Sequence, residues 1–167
     1  MRQDYDVLIV GAGVVGSSLA LALSHLPLRI ALIEQIPFRF EPPLSLDSKP
    51  IALNVASMRI LQTLALWPAL AAYANPIRQV HISQQACFAQ SRISAKDMGV
   101  AQLGCVIPAA RLGSELIKAL SECAAGKTAA KASLELFNPA QCQSISKTKQ
   151  AWQVLFSTAE NEKIVIY

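Results

Sequence analysis

Tyr5-Asp6-Val7-Leu8-Ile9-Val10 runs directly into Gly11-Ala12-Gly13-Val14-Val15-Gly16, and a second apolar stretch downstream ends in an acid, Glu34. No other feature restricts the fold of this chain as much. Residues 7–10 are short, apolar and rich in β-branched side chains, which suits a strand buried on both faces. Residues 17–26 suit a helix and residues 29–33 a second strand. Each glycine of the intervening turn has a mechanical reason. Gly11 lets the chain turn sharply out of the strand, Gly13 leaves room for a pyrophosphate to approach the backbone, and Gly16 lets the helix pack closely on the strand. The helix then begins with free N–H groups and the positive end of its dipole directed at the phosphate. Glu34 follows about 20 residues on, where an acid accepts hydrogen bonds from both ribose hydroxyls of an adenosine. An acid there favours an unphosphorylated 2′-hydroxyl, and so FAD or NAD over NADP.

At 167 residues and 53% apolar the chain can bury a core of one domain. That is short for a complete flavin or nicotinamide enzyme, which also needs somewhere to hold substrate. The net charge of +4 comes from scattered residues such as Lys127, Lys131, Lys147 and Lys149, without a basic stripe or aromatic ladder. Nucleic-acid binding therefore has no support beyond charge. Cys87, Cys105, Cys123 and Cys142 form no CxxC, and His25 and His81 are not spaced as a ligand pair, so no metal site is expected. Reduced thiols in a cytoplasmic protein are the default. Residues 7–23 are almost free of polar side chains. Asp4 and Asp6 precede them where a signal peptide would want positive charge, which argues against export, and the run is barely long enough to cross a bilayer.

Residues 36–50 carry four prolines and read as a loop. Helical spacing is expected over 52–66, continuing through Trp67-Pro68 into a shorter helix at 69–73, with Asn75-Pro76 breaking the pattern. Residues 78–83 alternate as a half-buried strand with His81 facing solvent; 86–93 pairs with it, and 100–107 is a further strand. Pro108 precedes a helix reaching Cys123, with Leu112, Leu116, Ile117 and Leu120 on one face. Short strands follow at 133–137, 142–146, 152–157 and 163–167. The fold class is α/β: a Rossmann-like FAD/NAD(P)-binding fold with the start of an inserted β-sheet region, truncated before completion. That last expectation rests on the apolar strand at 164–167, whose edge would need a partner.

Several segments together resemble the N-terminal part of the FAD-dependent aromatic-ring hydroxylases of ubiquinone biosynthesis, within the para-hydroxybenzoate-hydroxylase-like flavin monooxygenases. Asp47-Ser48-Lys49-Pro50-Ile51-Ala52-Leu53 looks like that family's Asp-x-Arg-x-x-Ala-Leu loop. Leu64-Ala65-Leu66-Trp67 is similar to its Leu-Gly-Val-Trp helix end, and Leu103-Gly104-Cys105-Val106-Ile107-Pro108 resembles its Leu-Gly-Tyr-Val-(Val/Ile) strand. The resemblance implies that residues 1–167 are the N-terminal portion of an FAD-binding domain, with 78–107 starting a substrate-side sheet. It implies FAD held non-covalently, NAD(P)H as reductant, O2 as co-substrate and a polyprenyl phenol as substrate. Other ubiquinone-biosynthesis proteins would be partners, with at most a peripheral contact at the inner membrane face. Carried across by position, Gly11, Gly13 and Gly16 with the N–H groups of Val14 and Val15 would hold the FAD pyrophosphate. Glu34 would take the ribose, Lys49 would lie near the flavin side, and Arg111 is a weaker candidate at the cofactor edge.

The departures are specific. Lys49 replaces an arginine, exchanging a planar fork for a point charge. Cys105 stands where the family commonly has tyrosine. The family's second FAD fingerprint, Gly-Ala-Asp-Gly, is missing, and no Gly-Asp pair occurs in the sequence. No residue qualifies as a catalytic acid or base. Two alternatives stay open at this point: a NAD- or FAD-dependent oxidoreductase of another class, and a non-catalytic nucleotide-binding or assembly subunit.

Overall fold

A computed structural model describes residues 2–3, 5–41, 49–83, 90–147, 151–158 and 163–166. In chain order the elements are β1 (Arg2–Gln3), β2 (Val7–Val10), α1 (Val14–Leu23), β3 (Arg29–Ile33), β4 (Pro50–Asn54), α2 (Val55–Thr63) and α3 (Trp67–Leu70), the last running into a 3-10 turn over Ala71–Tyr73. Then come β5 (Asn75–Ile77), β6 (Gln79–Ser83), β7 (Gln90–Ser94), β8 (Gly104–Pro108), α4 (Ala109–Ala124), β9 (Ser133–Phe137), β10 (Ala140–Lys147), β11 (Trp152–Thr158) and β12 (Lys163–Ile166). They divide into two units, one comprising Met1–Pro42 with Gly113–Tyr167, the other Pro43–Leu112.

The first unit is built on a parallel sheet in the order β2-β3-β9. A central parallel strand needs apolar cover on both faces, and Ile30, Ala31, Leu32 and Ile33 of β3 are all buried. Successive side chains alternate between faces. Ala31 and Ile33 pack with Ala140 of β10 and with Val154 and Phe156 of β11. The Phe137 and Phe156 rings lie 4.8 Å apart at this contact. Ile30 and Leu32 point the other way, and α1 packs on β2 and β3 through its buried Ala20 and Leu21. A second sheet, in the order β1-β12-β11-β10, is antiparallel except where β1 runs parallel to β12. In the parallel sheet, Tyr5, just ahead of β2, donates its hydroxyl to the Glu135 carboxylate of β9. Burial first, and then that bond, hold the phenol well above its usual range.

In the second unit β8 is paired antiparallel on both sides, to β4 and to β5. Pro76 sits in β5, at the edge of that sheet, where a missing N–H is tolerated. The Asn54 side chain accepts the Ser57 N–H at 2.8 Å and starts α2. That helix ends in a Schellman motif: Leu66 N–H donates to Leu61 C=O and Ala65 N–H to Gln62 C=O. Ala65, at φ +57°, takes the left-handed position normally given to glycine.

The strands at 7–10, 29–33 and 133–137 match their expected bounds, as does the onset of β11. The expected helix over 52–66 is instead strand β4 followed by α2. Residues 50–54 pair one for one with 108–104, and Asn54 caps the helix where the apolar periodicity gave no boundary. Pro50 is thus part of a strand, and the remainder of the expected proline loop, 42–48, lies outside the described residues. Residues 75–77 end the helical pattern as expected but also form β5. The strand over 78–83 is exposed on both faces, so it is not half-buried; His81 is exposed with Val80 and Ile82. Its partner β7 begins at Gln90, and 84–89 lie outside the described residues. Helix α1 begins at Val14, at the glycine turn itself. Among the described residues no helix is long and apolar enough to cross a membrane.

Candidate functional site

The site forms where β2 leaves the parallel sheet. Gly11 N–H still donates to Ile33 C=O at 2.8 Å, as if the strand continued. At Gly11 φ is +99°, a region that side chains disfavour, and the backbone reverses there. Gly13 follows as N-cap of α1 with extended backbone and no side-chain cap. The N–H groups of Val14, Val15 and Gly16 open the helix, and the first helical bond runs from Ser17 N–H to Gly13 C=O at 2.9 Å. A Cβ built on Gly13 meets nothing within 4 Å. A Cβ on Gly16 would lie 1.9 Å from the Gly11 carbonyl oxygen and 3.2 Å from Ile9 Cγ2. The turn is open where a ligand would approach and closed where helix meets strand. The buried Ser17 reinforces it by donating its hydroxyl to Ala12 C=O at 2.7 Å.

Glu34 follows β3, beside this turn. Its carboxylate accepts the Ala12 N–H at one oxygen and the Ile36 N–H at the other, both at 2.7 Å. The acid is therefore anchored to the glycine turn itself. Ala12, Gly13 and Glu34 line a cavity of about 280 Å³, together with Ile36, Pro37, Phe38, Arg39 and Ile117. A carboxylate, a helix N-terminus and a side-chain-free approach thus face one groove. Such a set can hold a sugar hydroxyl pair and an adjoining anion together.

The structure brings Gly11, Gly13, Val14, Val15, Gly16 and Glu34 together in the first unit. Lys49 and Arg111 belong to the second. Lys49 is exposed, and its carbonyl accepts the Ala109 N–H at 3.1 Å. The Arg111 guanidinium lies 4.5 Å from the centroid of the Tyr73 ring, a cation–π contact. Asp47 and Ser48 of the expected family loop lie outside the described residues. The sequence reading missed Ser17, Arg39 and Asn138. A serine one place past the last glycine offers a usable signal, since it can reach back to the turn carbonyl. Asn138 carries only an ordinary turn signal, ahead of Pro139. Cys105 and Cys123 are buried, and burial pushes the Cys105 thiol up. No three His, Cys, Asp or Glu side chains gather among the described residues.

Residues 4–152 match the family described as FAD binding domain. The chain belongs to that family. FAD is the cofactor of this domain, and the residues present fit its adenosine diphosphate end: an open approach at Gly13, an uncapped helix start and an anchored carboxylate. Among curated relatives, ubiquinone hydroxylase UbiL of Rhodospirillum rubrum is 34% identical over 82 residues, which is 46% of this chain and 18% of UbiL. Ubiquinone hydroxylase UbiM of Neisseria meningitidis is 39% identical over 67 residues, 40% of this chain and 14% of UbiM. Among solved structures, the OxyS anhydrotetracycline hydroxylase of Streptomyces rimosus superposes with a TM-score of 0.73 at 17% identity, over 98% of this chain and 30% of OxyS. The flavin-dependent monooxygenase PieE, solved with FAD and substrate, gives 0.68 at 17% identity, over 98% of this chain and 29% of PieE. At such identities the likeness is one of fold. The matches cover under a fifth of the length of the two ubiquinone hydroxylases.

Proposed function

We propose that this domain is the FAD-binding portion of a monooxygenase that hydroxylates a polyprenylated phenol in ubiquinone biosynthesis, with NAD(P)H as reductant. The observation that carries the substrate class is the 34–39% identity to two ubiquinone hydroxylases, against 17% or less to fold neighbours whose names point elsewhere. When bound, FAD supplies the redox chemistry that activates oxygen. The chain's own residues bind and orient it. The helix start at Val14 and Val15 lays N–H groups and a positive dipole end against the pyrophosphate, and Gly13 lets it come close. Glu34, held by Ala12 and Ile36, takes the ribose hydroxyls. Lys49 is proposed for the flavin side and Arg111, a weaker candidate, for the cofactor edge. A substrate with a lipid tail would favour a peripheral position at the inner membrane face, with other enzymes of the pathway as partners.

Purified protein incubated with FAD, desalted and scanned for flavin absorbance tests the first step, and retained flavin is expected. Selective stabilisation by NAD with no flavin retention would sink the hydroxylase reading. For the substrate class, protein containing this domain is supplied with NAD(P)H, oxygen and a short-chain prenyl phenol. A product heavier by one oxygen is expected, and flavin reduction without any such product counts against a phenol.

A further inference from the structure

We infer that Asn138, some 120 residues after the glycine turn, is the positioning residue that sets the adenosine wall of the pocket. The inference rests on the FAD reading above. Asn138 follows β9, and its amide is spent on one loop. Nδ2 donates to Glu34 C=O at 3.1 Å and to Ile36 C=O at 2.6 Å, while Oδ1 accepts the Phe38 N–H at 2.8 Å. Two carbonyls facing the donors and one N–H facing the acceptor fix which way the amide points. The backbone on either side adds to the grip: Glu34 N–H donates to Phe137 C=O at 3.0 Å, and Ala140 N–H donates to Glu34 C=O at 2.8 Å.

The clamped loop is the cavity wall, since Glu34, Ile36, Pro37 and Phe38 all line the groove. Ile36 is the link to the chemistry. Its carbonyl is held by Asn138 and its N–H holds the Glu34 carboxylate, whose other oxygen reaches Ala12 N–H in the glycine turn. A run of hydrogen bonds therefore passes from Asn138 through Ile36 and Glu34 to the turn that faces the pyrophosphate. No other side chain does this work at position 138. Aspartate would set a carboxylate against two carbonyls, serine is too short, and glutamine is one methylene too long.

Two measurements test this in the full chain. The first is amide hydrogen exchange without ligand, in wild type and Asn138→Ala. Exchange should quicken about tenfold or more at Phe38, which Asn138 touches, and at Ile36 and Ala12, whose N–H groups it does not touch. Val154 and Phe156 in β11 should be unchanged. A turn brace with no positioning role would move Phe38 alone, and unchanged exchange at Ala12 overturns the proposal. If the alanine variant fails to fold, Asn138→Ser reads the same amides. The second is affinity for FAD and for AMP. Asn138→Ala should bind both about tenfold more weakly, and Asn138→Asp more weakly still. Because Asn138 acts through Glu34, adding Asn138→Ala to Glu34→Gln should cost little more than Glu34→Gln alone. Full additivity, or undiminished affinity in Asn138→Ala, overturns the proposal. Wild type that binds neither FAD nor AMP would overturn the FAD site instead, while the exchange arm still decides whether Asn138 governs Glu34.

Discussion

Replacing Gly16 with alanine tests whether the turn is built as described. By helix propensity alone the change would stabilise α1 by about 1 kcal/mol. Packing says the reverse. The new methyl would sit 1.9 Å from the Gly11 carbonyl oxygen, about 1.5 Å short of ordinary contact, and the obstacle is backbone. The helix must ride away from β2, loosening the contacts of Ala20 and Leu21. Overpacking of this kind costs roughly 1–3 kcal/mol; a clash with backbone takes the upper end, so the sum is a net loss of about 2 kcal/mol. In a domain of this size that lowers Tm by about 4–8 °C. The same shift carries the Val14 and Val15 N–H groups away from the proposed pyrophosphate position, and FAD affinity should fall about tenfold or more. Gly13→Ala is the matched control, since its Cβ meets only open space and its φ of −66° suits alanine. It should keep stability to within about 1 kcal/mol yet bind FAD more weakly, because the methyl stands in the ligand's path. Urea unfolding and flavin-fluorescence titration read both variants. A Gly16→Ala protein as stable as wild type would refute the close-packing argument.

Four further outcomes are expected. Ala65→Gly relieves a left-handed alanine and should raise stability by about 0.5–1 kcal/mol in urea; a loss would mean the Schellman turn is not strained there. Phe156→Ala empties the centre of the core against Ala31, Ile33 and Val154 and should cost about 3–5 kcal/mol by the same measure. Glu34→Gln should weaken FAD binding at least tenfold but leave FMN, which has no adenosine, unaffected in parallel titrations. Asp6 is held below the usual carboxylate range, first by the Arg29 N–H and then by the Arg29 side chain. A depressed carboxylate gives stability that is present above its unfolded pKa and lost as pH falls through the folded one. Asp6→Asn should therefore flatten the acid limb of a Tm-against-pH curve below about pH 4, and an unchanged limb would show that Asp6 does not contribute to it.

The geometry of the glycine turn was legible because its constraints are local. Strand, turn and helix start occupy residues 7–16 without a break, and each glycine answers a steric demand set by near neighbours. That an acid would stand beside the turn followed from spacing alone, and the Glu34 carboxylate does accept the Ala12 N–H. What the sequence hid depends on pairing across long separations. The stretch at 50–54 carries apolar residues compatible with either period, and only its partner at 104–108 makes it a strand. Asn138 looks like any turn asparagine until β9 is laid beside β3. The paired strands 79–83 and 90–94 alternate like a half-buried pair, yet both faces of β6 are exposed, because alternation records which residues could share a face and not whether anything covers it. Ala65 shows the converse, a local rule broken where the surrounding helix end dictates the backbone.

The pairing of β3 with β9 also orders events in time. The wall of the proposed nucleotide pocket needs residues 34–38 and 138 in one place, and closing a loop of that length from a random coil costs roughly 4 kcal/mol in chain entropy. A nascent chain that has released only its first strand, glycine turn and helix holds every residue of the recognisable fingerprint but not the finished receptor. Flavin capture should then begin only after about 140 residues have cleared the ribosome, with the intervening segment given time to fold first. Stalled chains of graded length, probed for flavin retention, would show a threshold at β9 and not at Glu34.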